Sequence, residues 1–224
     1  MKKVNKDAFI KQSMVTLEGI YDHLAGLREV AMDVLEPGKT ALVVVDMING
    51  FAREGMLKSA RVEGIIAGIE AIAKACDKLG IQRLAFADSH TDASPEFSSY
   101  PPHCLKGTSE EELVDELKDL GGWTLIPKNS TNGFLEPAFQ EWLAKNEAID
   151  TFIVTGDCTD ICIQQFAITL KTWFNRKDRK SRIIVPIDAV DTYDLGLHSG
   201  DLMHVMALYN MIGNGVEVVS GIRV

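Results

Sequence analysis

Along this chain, short and mostly apolar runs alternate with stretches in which apolar residues recur at helical spacing. Residues 41–46 (ALVVVD) form a continuous apolar run ending in an acid, as a strand buried on both faces of a parallel sheet requires. Runs at 81–87 (IQRLAFA), 151–155 (TFIVT) and 182–187 (RIIVPI) are short, rich in β-branched or aromatic residues, and each followed by polar residues and a helical pattern. The periodicity predicts helices over 60–79, 109–120, 135–146, 161–175 and 199–213, and a last strand at 216–219 after the glycines at 213 and 215. This βαβ alternation predicts an α/β fold with a mainly parallel central sheet. Residues 1–35 predict an extra helix or two, a packing or oligomerisation arm, so the chain divides into a helical extension over 1–38 and one domain over 39–224. Phe9, Ile10, Val15, Leu17 and Ile20 would be exposed on an isolated arm and call for a packing partner.

In open parallel sheets, ligands gather outside the carboxyl ends of the strands. Three polar clusters fall at such ends: Asp46, Asp88, and the segment from Asp157 to Cys162. In GDCTDICIQQF (156–166), Cys162 falls one residue into a predicted helix, where unpaired N–H groups and the helix dipole favour a thiolate. An inert core thiol is the other reading, because free cysteine is among the most buried residue types. Cys158 lies on the preceding loop and offers a backbone N–H rather than a thiol; its four-residue spacing from Cys162 is not the Cys-x-x-Cys of disulfide oxidoreductases. The segment 87–104 (ADSHTDASPEFSSYPPHC) brings Asp88, His90, Glu96 and His103 into one loop, donors that suit Zn²⁺, Fe²⁺ or Mn²⁺. Read alone, these are equally scattered polar loop residues. Lys128, in LIPKNSTNGF (125–134), is a surface lysine unless a carboxylate and a cysteine meet it, in which case it stabilises both anions.

Composition narrows the function classes. With 224 residues, 46% of them hydrophobic, one core of ordinary size can be buried. A formal charge of −9 argues against a phosphate-tracking surface, and the short basic run at 176–182 reads as a solvated helix end, so no nucleic-acid partner is expected. The start, MKKVNKDAFIKQ, lacks the apolar core of a secretory signal, and no run approaches the roughly 20 apolar residues needed to span a bilayer. A cytoplasmic protein without a membrane partner is expected, and its four cysteines read as core thiols or chemistry rather than a disulfide framework.

Together these segments resemble the isochorismatase-like cysteine hydrolases, and among them the nicotinamidase/pyrazinamidase group, over roughly residues 40–222. Asp46 and Phe51 in VVVDMINGF match the opening pattern, Lys128 the lysine, and Thr159 and Cys162 the Gly-x-x-Thr-x-x-Cys pattern that ends on the nucleophile. Asp88, His90 and His103, the last in PPHCLKGT, match the metal motif, and Glu96 stands where some members carry a further carboxylate ligand. Isochorismatases themselves lack both the metal set and the cysteine. Tyr100 departs from a frequent tryptophan three residues before the second metal histidine. The resemblance implies a three-layer α/β/α sandwich, one divalent metal ion (zinc foremost, iron or manganese otherwise), and the hydrolysis of nicotinamide to nicotinic acid and ammonia in NAD salvage. It further implies a triad of Asp46, Lys128 and Cys162, a substrate ring between Phe51 and Tyr100 with its pyridine nitrogen toward the metal, and a cis Asp157–Cys158 peptide whose Cys158 N–H joins that of Cys162 as the oxyanion hole. Another small amide or ureido compound is the alternative substrate, and a non-catalytic member of the fold the remaining alternative.

Overall fold

A computed structural model describes residues 4–224. In chain order its helices and strands are α1 (Lys6–Ala25), β1 (Val30–Ala31), β2 (Thr40–Val45), α2 (Asn49–Ala52), α3 (Ala60–Gly64), α4 (Ile66–Leu79), β3 (Gln82–Asp88), α5 (Asp115–Lys118), β4 (Thr124–Lys128), α6 (Pro137–Lys145), β5 (Thr151–Asp157), α7 (Gln164–Arg176), β6 (Arg182–Pro186), β7 (Val190–Asp191), α8 (Gly200–Gly213), β8 (Glu217–Val219) and β9 (Ile222–Arg223).

The main sheet is parallel throughout, in the order β4-β3-β2-β5-β6-β8, with β7 pairing alongside the end of β5. Every residue of β2 is buried because each face of the strand meets its own core. Ala41, Val43 and Val45 pack with Phe86, Phe152 and Phe166 on one face, while Leu42 and Val44 join Ile69, Ala73 and Ile153 on the other. This is why the strand reads as an unbroken apolar run rather than an alternating one. The chain moves outward from β2 to β3 and β4, then returns to place β5 on the other side of β2. The reversal opens a crevice at the carboxyl ends of β2 and β5, the position at which open α/β sheets collect ligands.

The structure departs from the pattern-based reading at several places. β4 was not expected as a strand; it carries Pro127, which an edge strand paired only with β3 accommodates. The helix expected over 109–120 shrinks to α5, since Ile48 bridges Leu113 and the Val114 N–H donates to Met47 O at 3.1 Å. The 60–79 helix is interrupted at Ile65. The arm is not wholly helical: one long helix, α1, capped by the Asn5 side chain accepting from the Ala8 N–H, is followed by β1, which pairs in parallel with β9 near the C-terminus. Of the apolar residues expected to find a partner there, Ile20 is buried, whereas Phe9, Ile10 and Val15 stay exposed. Among the described residues no helix is long and apolar enough to cross a membrane.

Candidate active site

The ends of β2, β3, β4 and β5 bring the three polar clusters together. Asp46 follows the last residue of β2 in a left-handed conformation (φ 55°), unusual for a residue with a side chain. Its N–H still donates to Phe86 O, and its Oδ1 accepts from the Asp88 N–H at 3.1 Å. Beneath it, Gly156 of β5 has φ 117°, and a Cβ there would lie 2.0 Å from Val45 O. Only glycine lets the two strands close at this point. Gly156→Ala is expected to cost more than about 3 kcal/mol of folding stability, combining a forbidden backbone with a main-chain clash. A denaturant midpoint close to wild type would contradict that.

Lys128 closes β4 and is completely buried, its ammonium between two carboxylates. Nζ stands 2.8 Å from Asp46 Oδ2, in an ion pair poorly aligned as a hydrogen bond, and it donates to Asp88 Oδ1 and to Ser130 O. Cys162 Sγ lies 3.8 Å from the same Nζ and also meets the Asp46 carboxyl. Burial opposes the lysine's charge, but Asp46 and Asp88 outweigh it and hold the ammonium well above its ordinary pKa. Burial likewise raises Asp88, yet Lys128 and His90 more than compensate and keep it ionised. For Asp46, burial reinforced by Asp88 wins over Lys128 and lifts the carboxyl to about 7.

Cys162 does not open the long helix. It lies in a π-turn, Thr159–Ile163, that precedes α7, and the Cys158 carbonyl accepts from Ile161 and Ile163 while passing over Cys162. The position near a helix start favours a thiolate, but the burial of the site works against it. Burial pushes the thiol well above its ordinary range; Lys128 opposes this, and Asp46, Asp88 and Asp157 add to it. The Asp157–Cys158 peptide is cis, as the resemblance implied.

Asp88, His90 and His103 gather on the other flank of Asp46. One ligand atom from each lies within 4.8 Å of the others, and all three residues are buried. His90 Nδ1 is engaged by Asn129 Oδ1 at 3.0 Å and His103 Nδ1 by Pro101 O at 2.8 Å, which leaves both Nε2 atoms facing Asp88 Oδ2 at 3.6 and 3.9 Å. His90 Nε2 is buried with no hydrogen-bond partner among the described residues. Two imidazoles oriented through Nδ1, with converging lone pairs and a carboxylate, fit a divalent cation with coordination positions left over. Glu96 stands at the rim: its Oε2 is 3.8 Å from His90 Nε2, while Oε1 accepts from the Thr131 N–H at 2.9 Å.

Phe51, Tyr100, His103, Cys158 and Cys162 line one narrow cleft, and the rings of Phe51 and Tyr100 lie 5.6 and 6.1 Å from that of His103. Tyr193 lines the same cleft and was not anticipated, because it sits on an aperiodic loop whose sequence carries no chemical signature. A wider cavity of 840 Å³ lies at the opposite end of the sheet, between residues such as Lys39, Asp150 and Arg182, and holds none of the clustered groups.

A family model described as the isochorismatase domain matches residues 40–221. The chain belongs to this family. Within it, nicotinamidase 1 of Arabidopsis thaliana is 33% identical over an alignment spanning 93% of this chain and 98% of that protein. Among solved structures, nicotinamidase from Bacillus subtilis superposes with a TM-score of 0.69 at 25% identity, covering 81% of this chain and 99% of the other. N-carbamoylsarcosine amidase from Thermoplasma acidophilum does so with 0.67 at 26% identity, covering 81% and 95%. The family match begins after α1, leaving that helix outside it.

Proposed function

We propose that this protein is an amidohydrolase that converts nicotinamide to nicotinic acid and ammonia through a thioester on Cys162, as part of NAD salvage in the cytoplasm. The observation that carries the reading is the buried contact of Cys162, Lys128 and Asp46 beside an Asp88–His90–His103 cluster, in a chain 33% identical to a nicotinamidase. One solved relative named for a carbamoyl amide, and others named for ureidoacrylate, keep a second reading open, in which the same chemistry acts on another small amide.

Asp46 is the base. It contacts the thiol, and its pKa near 7 suits a group that must both take a proton and return it. The raised pKa of Cys162 means that the proton leaves as sulfur attacks the carboxamide carbon, and Lys128 keeps the resulting charge balanced. The N–H groups of Cys158 and Cys162 hold the oxyanion of the tetrahedral intermediate, the second of these being the amide that the π-turn leaves out of its bonds to Cys158 O. Asp46 protonates the departing ammonia and then deprotonates the water that cleaves the thioester. Phe51 and Tyr100 orient the ring. Asp88, His90 and His103 would hold the divalent ion, zinc foremost, whose chemistry when bound is to act as a Lewis acid toward a ring nitrogen or a water.

The direct test is ammonia release from nicotinamide by purified protein, before and after chelation and with Zn²⁺, Fe²⁺ or Mn²⁺ restored. We expect release that chelation lowers at least about tenfold and that a divalent metal recovers. Metal-independent release would remove the ion from the scheme; no release from folded, metal-loaded protein would transfer the reading to other small amides.

A further inference from the structure

The loop between β7 and α8 carries a built aromatic wall that neither the triad nor the metal cluster explains. Tyr193 lines the cleft over Cys162, and its ring lies flat on that of His198, with centroids 4.0 Å apart and planes within 7°. His198 is fixed on both ring nitrogens, Nδ1 against Tyr193 O at 2.9 Å and Nε2 against Asp160 Oδ2 at 2.8 Å. The other Asp160 oxygen accepts from Thr192 Oγ1 at 2.7 Å. Paired backbone bonds between Leu195 and His198 close the loop on itself, and Arg61 ties its base through Asp191 and Thr192 O. Asp160 belongs to the same π-turn as Cys162. The wall is therefore registered to the sulfur itself rather than hung on a loose segment.

Resting on the amidohydrolase reading above, we infer that Tyr193 is a specificity-determining residue that contacts the ring of an aromatic amide, and that His198 and Asp160 are positioning residues holding it against the cleft. Phe51, Tyr100, Tyr193 and Cys162 line the same narrow cleft, so an aromatic amide bound over the sulfur meets the Tyr193 ring. Phe51, Tyr100 and Tyr193 then surround the ring, each through its face or edge.

The test compares kcat and KM for nicotinamide and for a small aliphatic amide in the metal-loaded wild type, Tyr193→Ala, His198→Ala and His198→Phe. Tyr193→Ala is expected to raise KM for nicotinamide about three- to tenfold, the size of one aromatic contact, with kcat within about threefold and the aliphatic amide little affected. His198→Ala should shift the same KM in the same direction, and His198→Phe, which keeps a ring for the stack, should recover most of it. An unchanged KM in both alanine variants, or an equal loss on both amides, would overturn the inference while leaving the function standing. Wild type inactive on nicotinamide would remove both.

Discussion

Cys162→Ala is expected to reduce ammonia release from nicotinamide by on the order of 10⁴-fold or more, because the proposed reaction has no covalent route without the sulfur. The side chain is small and its neighbours stay in place, so the melting temperature should move by only a few degrees. Ligand binding should survive, since the aromatic walls and the metal cluster are untouched. Rapid quenching and intact-mass measurement should show an acyl adduct on the wild type and none on the variant. Turnover retained by the alanine variant would end the nucleophile assignment.

Lys128→Ala should be as damaging for a different reason. The ammonium is the cation between Asp46 and Asp88, and all three groups are out of water. Truncation leaves two buried carboxylates facing each other, where breaking one partner of a buried ionic set costs about 3–5 kcal/mol. For a chain of this size, that corresponds to a fall of roughly 6–20 °C in melting temperature. Activity should vanish with it, since Asp46 would lose the charge that opposes its protonation. Thermal unfolding of the metal-free protein is the measurement; stability equal to wild type would mean that the lysine is not the group holding this site together.

Stability and reactivity therefore converge on the same few atoms. A buried Lys–Asp–Asp arrangement is an expensive way to hold a fold, but it keeps one carboxyl near neutrality and the other ionised within a single hydrogen-bonded cluster. The Asp88 backbone N–H on Asp46 Oδ1 couples the base directly to the strand that begins the metal motif.

The sequence by itself determined the central strands, the order of chemical groups and the rim on which they stand. β2 and β5 are buried along their whole length and β3 at all but its first residue, so each carries a mostly apolar run legible without neighbours. Asp46, Asp88 and Cys162 could be read because each follows such a run, and His90, His103 and Lys128 because motif spacing ties them to it. Only the tertiary structure decided the rest. β4 exposes three of its five residues and carries a proline, so it has no periodic signal and exists because β3 offers it an edge. The helical spacing at 109–120 loses to backbone bonds donated across the fold to the β2 exit. The protonation of Cys162 depends on burial and on three acids that converge through space, none of which a helix-dipole argument contains. Tyr193 reaches the cleft through a loop pinned by Asp160 and His198, and contacts between residues more than thirty positions apart leave no local pattern for a sequence to show.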